Sequence, residues 1–240
     1  HDVNGGMCDL AAEYLQKNIM PNLPTPTSLR MKSYAQREEI CEKTGSGCYT
    51  LGKELRDGKH GIKDEDKALK LMLKSCDSKY GEACNSAGVM CDQKEEDKKA
   101  RDLFKKACDL KDALGCSNSG IMWENGDGGL VDYNEAMKYY LKAAELGNDE
   151  ATEKLADLLK KLVDADTADM GFGIFYYGNT QKIDTRVEAY MWYNIASALG
   201  IENAATKRDE MKSTMNSRQI LEAQQKSNKW METHRNKEGE

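Results

Sequence analysis

Residues 97–151 read DKKARDLFKKACDLKDALGCSNSGIMWENGDGGLVDYNEAMKYYLKAAELGNDEA. Within them lie the end of one helix pair, a turn with two cysteines, a helix, a glycine-rich loop and another helix. Ala100 and Ala136 each open an apolar stripe of helical period, closed eight residues later by a small residue, Cys108 or Ala144. The same spacing links Ala68 to Cys76 and Ala189 to Ser197. A repeat of roughly 20–50 residues marks a stacked array, and it sets the architecture before any single element is read.

The repeats overlay residue by residue. Gly58, Gly61, Ile62, Asp64 and Ala68 match Gly126, Gly129, Leu130, Asp132 and Ala136. The glycines permit positive φ in a tight interhelical loop. Asp64 and Asp132 are placed to cap the next helix, whose first amides lack partners. Cys76 to Cys108 spans 32 residues against 36 from Cys108 to Ala144. The shorter unit lacks the Gly-x-x-Gly loop, where deletions are best tolerated.

This pattern resembles the Sel-one-like repeat (SLR) family of α-solenoids, relatives of the tetratricopeptide repeats. Its marks stand here as Leu51-Gly52, as Glu135-Ala136 running to Lys142-Ala143-Ala144-Glu145-Leu146-Gly147, and as Phe172-Gly173 running to Tyr177-Gly178. Lys106-Ala107-Cys108-Asp109 and Gly115-Cys116-Ser117-Asn118 resemble the Helicobacter cysteine-rich protein branch. The resemblance covers about residues 41–233. It implies an all-α, right-handed α/α solenoid of tetratricopeptide-like helix-pair repeats.

The predicted organisation is a solenoid over residues 1–212 and a capping helix and tail over 213–240. Cysteine-rich repeats occupy about 8–147, an irregular insertion about 148–187, and the last repeat about 168–212. Residues 8–15 overlay the helices that start at Cys84 and Cys116. A Pro-bearing loop then spans 18–28, before a helix over about 29–41. The three prolines all lie in that loop, so none breaks a later helix. After Ala144 the period fails: Ser197 is 53 residues on, about 17 more than one repeat. Either one helix is inserted there or one repeat has lost its partner helix. Near the C-terminus, Asn216 and Gln219 have capping-box spacing. Ile220, Ala223, Trp230 and Met231 then form one apolar face, as a helix closing a stacked array needs.

A net charge of −6 with scattered Lys and Arg leaves no basic stripe for nucleic acid. No apolar run reaches transmembrane length. No secretory signal is visible; the chain opens at His1-Asp2, as a mature or trimmed product would, so that absence does not imply a cytosolic protein.

Six of the eight cysteines form local pairs: Cys41 with Cys48, Cys76 with Cys84, and Cys108 with Cys116. Each pair spans the turn between the second helix of one repeat and the first of the next. Antiparallel neighbours bring those ends within the ~7 Å Cα separation a disulfide allows. Zinc is the competing reading, but zinc sites favour Cys-x-x-Cys knuckles with His. The chain has no Cys-x-x-Cys, and its histidines are His1, His60 and His234. Disulfides imply an oxidising compartment; with the bacterial resemblance, that is the periplasm or the secreted space. By overlay, Cys8 is the second member of a pair whose first would precede His1. Cys91 overlays packing positions and reads as a buried free thiol. A Cys8–Cys91 bridge is the other arrangement.

Some cysteine-rich relatives are described as penicillin-binding proteins or weak β-lactamases. A serine β-lactamase needs Ser-x-x-Lys, which is absent here. Lys43-Thr44-Gly45 matches the Lys-Thr-Gly element but sits in a cysteine turn. Asn125-Gly126-Asp127 hints at a calcium loop, yet the glycine required at the sixth position is Leu130. No catalytic or metal-binding set and no cofactor site emerges. Trp123 overlays Tyr176 and Cys91 at a packing position.

By analogy with tetratricopeptide arrays, Ser86 and Met90, and Asn118 and Met122, are expected on the concave side. Methionine adapts to varied partners, and Asn can bond a peptide backbone. The expected function is a monomeric, non-enzymatic scaffold binding a protein or peptide in its groove. The alternative is a penicillin- or cell-wall-fragment-binding protein with weak hydrolase activity.

Overall fold

In a computed structural model, residues 26–59, 62–164 and 184–235 are described. Their regular structure is helical: α1 Pro26–Lys43, α2 Gly45–Arg56, α3 Glu65–Asp77, α4 Gly81–Asp92, α5 Asp97–Asp109, α6 Ala113–Asn125, α7 Tyr133–Glu145, α8 Asp149–Asp164, α9 Thr185–Ala198, α10 Ala204–Lys212 and α11 Ser217–Arg235. The chain has an all-α helical-repeat fold. It divides into two compact units, His1–Ala83 and Cys84–Glu240. The sequence expectations for residues 8–15, Cys8, and 168–178 with Tyr176 lie outside the described residues.

Helix starts follow the acidic and hydroxyl residues that precede them. Asp64 accepts from the Lys67 amide at 2.8 Å. Asp132 accepts from the Asn134 and Glu135 amides at 2.9 and 3.1 Å. Asp112 and Asp184 cap α6 and α9 in the same way. At α11 both halves of the capping box form: Gln219 N–H donates to Asn216 at 3.0 Å, and Asn216 N–H donates to Gln219 at 2.9 Å. Pro26 opens α1, a position where its missing N–H costs nothing.

In the first unit, α2 packs between α1 and α3, burying Leu51, Leu55, Ala68 and Met72. Gly52 admits this approach: a Cβ there would stand 3.1 Å from the Ala68 carbonyl and 3.2 Å from Met72 Cγ. The second unit repeats the device with larger partners. A Cβ on Gly88 would lie 2.7 Å from the Phe104 ring, and one on Gly120 2.5 Å from the Tyr140 ring. Each ring comes four residues after the repeat's anchor alanine, so it lies one turn on, on the same face. The first-helix glycine is therefore there for space, so that a side chain of the second helix can lie on bare backbone.

Further stacking in the second unit joins α5 to α6, α6 to α7, α7 to α8 and α8 to α9; α9 also packs on α10 and α11. Helix α8 is thus a stacked member of the array with α9 as a direct neighbour. The terminal helix lays Trp230 edge-on against the buried Trp192, ring centroids 5.4 Å apart. Ser227 and Lys226 bind Asn194 and Glu188 across the same contact.

The loop between α6 and α7 shows a residue that the periodicity did not single out. Gly126 and Gly128 take positive φ, +85° and +73°. Gly129 is needed for a different reason: a Cβ there would collide with the Arg101 guanidinium. Arg101 is buried; its Nη2 donates to the Met122 and Leu130 carbonyls, both at 3.0 Å. Its plane lies over the Trp123 ring, 3.8 Å from the centroid. One side chain from α5 thus caps the C-terminal end of α6 and closes the loop, holding Leu130 85% exposed. Arg101→Met keeps the bulk and removes both donors. It is expected to lower stability by about 2–3 kcal/mol, the range for buried hydrogen bonds to a charged group. Denaturant unfolding measures this; a loss below about 0.5 kcal/mol would show that the loop closes without Arg101.

Candidate functional site

Four helices lead their pairs: α2, α4, α6 and α8. In α6 the accessible stripe is Leu114, Asn118, Ile121 and Asn125, at offsets 0, 4, 7 and 11. The repeat spacing carries it to Ser86 and Val89 in α4 and Gln93 just beyond its end, and to Glu150, Lys154, Asp157 and Lys161 in α8. It also appears in the first unit as Ser46, Thr50 and Lys53 on α2 and Asp57 just beyond its end. All these residues are exposed or half-buried, so each leading helix keeps one open stripe.

Ser86 and Asn118 lie on that stripe. Met90 and Met122 do not: they are 4% and 3% exposed and belong to the core, which corrects the expectation that both face a groove. At 100° per residue, a step of four advances 40° and here passes the open stripe into the packed side. The next open positions are three residues on, Val89 and Ile121. The register was legible in Lys53 and Asp157, which overlay them and whose charges resist burial.

Polar side chains join the leading helices. Asn118 Nδ2 donates to Asn85 Oδ1 at 2.8 Å, linking α6 with α4. That bond does not use the Asn118 side-chain carbonyl or the Asn85 amino group. Glu124 at the end of α6 accepts from the Tyr140 hydroxyl at 2.9 Å and lies 3.4 Å from Lys161 of α8. Asp157 accepts from the Tyr193 hydroxyl at 2.7 Å. Burial first, and then the adjacent carboxylates, push both phenols well above the usual tyrosine range, so both remain donors. Lys207 of α10 binds Glu153 and Asp157. Burial works against its charge, but the two carboxylates outweigh it and raise its pKa.

Two disulfides stand where the turn spacing places them, Cys41–Cys48 and Cys108–Cys116, with Cα separations of 4.1 and 4.4 Å. Cys76 and Cys84 are also disulfide-bonded. Oxidised cysteines of this kind place the chain in an oxidising, extracytoplasmic environment. Cys91 is a buried free thiol, and burial raises its pKa above the ordinary value. It is a packing residue, not a nucleophile.

The remaining motifs are structural. Lys43 pairs with Glu39 at 2.7 Å, and the Thr44 hydroxyl accepts from the Gly47 amide at 3.0 Å, capping α2. A cleft of about 330 Å³ lies beside this turn, with Arg37, Ile40, Thr44 and Thr50 in its wall. Asn125 donates to Asp127 within the Arg101-closed loop. Among the described residues, no cluster of His, Cys, Asp and Glu is arranged to hold a metal ion. No described helix is long and apolar enough to cross a membrane.

The model of the Sel1 repeat matches residues 45–80, 79–112, 113–148 and 168–201, more than half of the chain. No curated protein matches significantly. Among solved structures, the chain is similar to a protective antigen of uropathogenic Escherichia coli that displays an SLR fold. The TM-score is 0.64 at 22% identity, over 95% of this chain and 46% of that one. It is also similar to a Sel1 repeat protein from Oxalobacter formigenes, with a TM-score of 0.55 at 20% identity, over 83% of this chain and 73% of that one. The chain thus spans just under half the length of the antigen it matches. The four repeat matches, carried by an all-helical fold of the same kind, show that the chain belongs to the Sel1 repeat family.

Proposed function

We propose that the protein is a non-enzymatic scaffold, monomeric and periplasmic or secreted, that holds a protein or peptide partner along the open stripes of α4, α6 and α8. Sel1 repeat proteins serve as protein-interaction scaffolds, and the disulfides support an extracytoplasmic site. The observation that carries the binding face is the Asn118–Asn85 pair, half-buried between Val89 and Ile121. It offers an amide donor and acceptor beside apolar surface, the mixture that an extended backbone with small side chains requires. The penicillin-binding alternative gains nothing from Lys43 and Thr44, which are engaged in an ion pair and a helix cap.

The test is capture from bacterial envelope extract by the immobilised chain and by an Asn118→Ala/Ile121→Ser variant. Ile121 is half-buried against the core and Asn118 bonds Asn85, so thermal melting must first show that the variant remains folded. Its captured partner should fall by about tenfold, the effect expected when central contacts are removed. Unchanged capture by a folded variant would move the interface off this face.

A further inference from the structure

We propose that Asn125-Gly126 is a latent self-modification site, held inactive by the Arg101-closed loop and able to unlock that loop once it has reacted. The chain has two Asn-Gly steps; the other, Asn4-Gly5, lies outside the described residues. An asparagine side chain is open to attack by the next backbone nitrogen, and glycine hinders that attack least because it has no side chain. Asn125 is the last residue of α6 and is exposed, so its side-chain amide is in contact with water.

The fold withholds the nucleophile. Gly126 N–H donates to the Met122 carbonyl at 3.0 Å. The helical backbone at Asn125 also lacks the ψ that closure of a five-membered ring requires. Asn125 Nδ2 is itself engaged, donating to Asp127 at 3.1 Å. Beyond it, Gly129 N–H donates back to the Gly126 carbonyl at 3.1 Å. The Met122 carbonyl that holds the Gly126 amide also accepts from Arg101 Nη2, whose other bond goes to the Leu130 carbonyl at the far end of the loop. Ring closure therefore waits on loop opening, and Arg101 ties both ends of the loop.

The reaction balances with water alone. Hydroxide removes the Gly126 amide proton, the nitrogen bonds to Asn125 Cγ, and the Cγ–Nδ2 bond breaks. Nδ2 leaves as ammonia, taking a proton from water and regenerating hydroxide. Water then opens the succinimide: attack at Cγ gives aspartate, and attack at the Asn125 backbone carbonyl gives isoaspartate. Neither product suits the closed loop. Each puts a carboxylate where Asn125 donated to Asp127, at the negative end of the α6 dipole. Acids already crowd there: partial desolvation, and then the charges of Asp97 and Asp127, hold the Asp92 carboxyl above its usual range. Isoaspartate also inserts a backbone atom between the two carbonyls that Arg101 binds.

The experiment incubates the full oxidised chain in mildly alkaline buffer and follows Asn125 by peptide mass mapping, beside the same chain unfolded in urea. The folded chain should lose the amide at least about tenfold more slowly, because reaction requires local opening. Arg101→Met, shown by circular dichroism to be folded, should speed the folded reaction by about tenfold or more through loss of its two bonds. Trp230→Ala, which weakens the packing of the terminal helix on Trp192, should not. Reacted chains, separated by their added negative charge, should melt below unreacted ones. Equal rates in the folded and unfolded chain, or in the parent and Arg101→Met, overturn the inference. Equal acceleration by Trp230→Ala assigns the reaction to global unfolding and overturns it as well. Reacted chains that melt with the parent show that the loop stays shut, which overturns the unlocking.

Discussion

Tyr140→Ala is expected to lower the free energy of unfolding by about 3–5 kcal/mol, the range for deleting a buried aromatic side chain. Its ring covers the bare backbone at Gly120 and is 1% exposed. With the ring gone, no neighbouring side chain reaches that surface, and a cavity remains between α6 and α7. Tyr140→Phe separates the parts: it keeps the ring and removes the hydrogen bond to Glu124. Glu124 retains Lys161 as a partner, so this variant should lose only about 1–1.5 kcal/mol. The hydrogen bond has a pH signature. Because folding raises the phenol's pKa, its contribution is complete below the ordinary tyrosine value of about 10 and fades as pH rises past it. Tyr140→Phe should flatten that alkaline decline. Denaturant unfolding of both variants between about pH 7 and 11 provides the check. Similar losses for Phe and Ala would show that the hydroxyl, not the ring on Gly120, holds the pair.

Removing the Cys108–Cys116 bridge comes next. Alanines at both positions should cost about 2.5 kcal/mol, the chain-entropy value for a loop of this length. Loss of packing at two fully buried sulfurs would add to it. The protein would still fold, because Gly115 and Asp112 continue to shape the turn and cap α6. Calorimetry of the double variant beside the oxidised parent measures the effect. A loss under about 0.5 kcal/mol would mean that the helix packing, and not the bridge, sets the turn. Cys91 supplies a built-in reporter. It is buried and free, so a thiol reagent should label it only when α4 opens, and faster if removing the bridge loosens the array.

The parts of this structure that were legible beforehand rest on local chemistry or on a period. The anchor alanines reveal stacked helix pairs because one small residue per turn of packing is a pattern along the chain. Asp64, Asp132, Asn216 and Gln219 reveal helix starts because a cap bonds amides two or three residues away. Cysteine pairs seven and eight residues apart reveal their partners because one tight turn brings them together.

What needed the tertiary structure is whatever depends on contact between distant residues or on absolute rotation about a helix. A period tells which residues share a face, but not whether that face meets a neighbour or solvent. The period alone puts Met90 and Met122 on the open side, whereas packing takes them into the core. Arg101 gave no signal in its own surroundings, since its carbonyl partners lie 21 and 29 residues on. The loop pattern gives Gly129 a conformational role, whereas the Arg101 guanidinium beneath it makes the constraint one of space. From the sequence alone came the repeat, the caps and the turn disulfides, all fixed by interactions within a few residues. Only the folded chain decided which stripe stays open and what closes the glycine loop, because each depends on what the neighbouring helices cover.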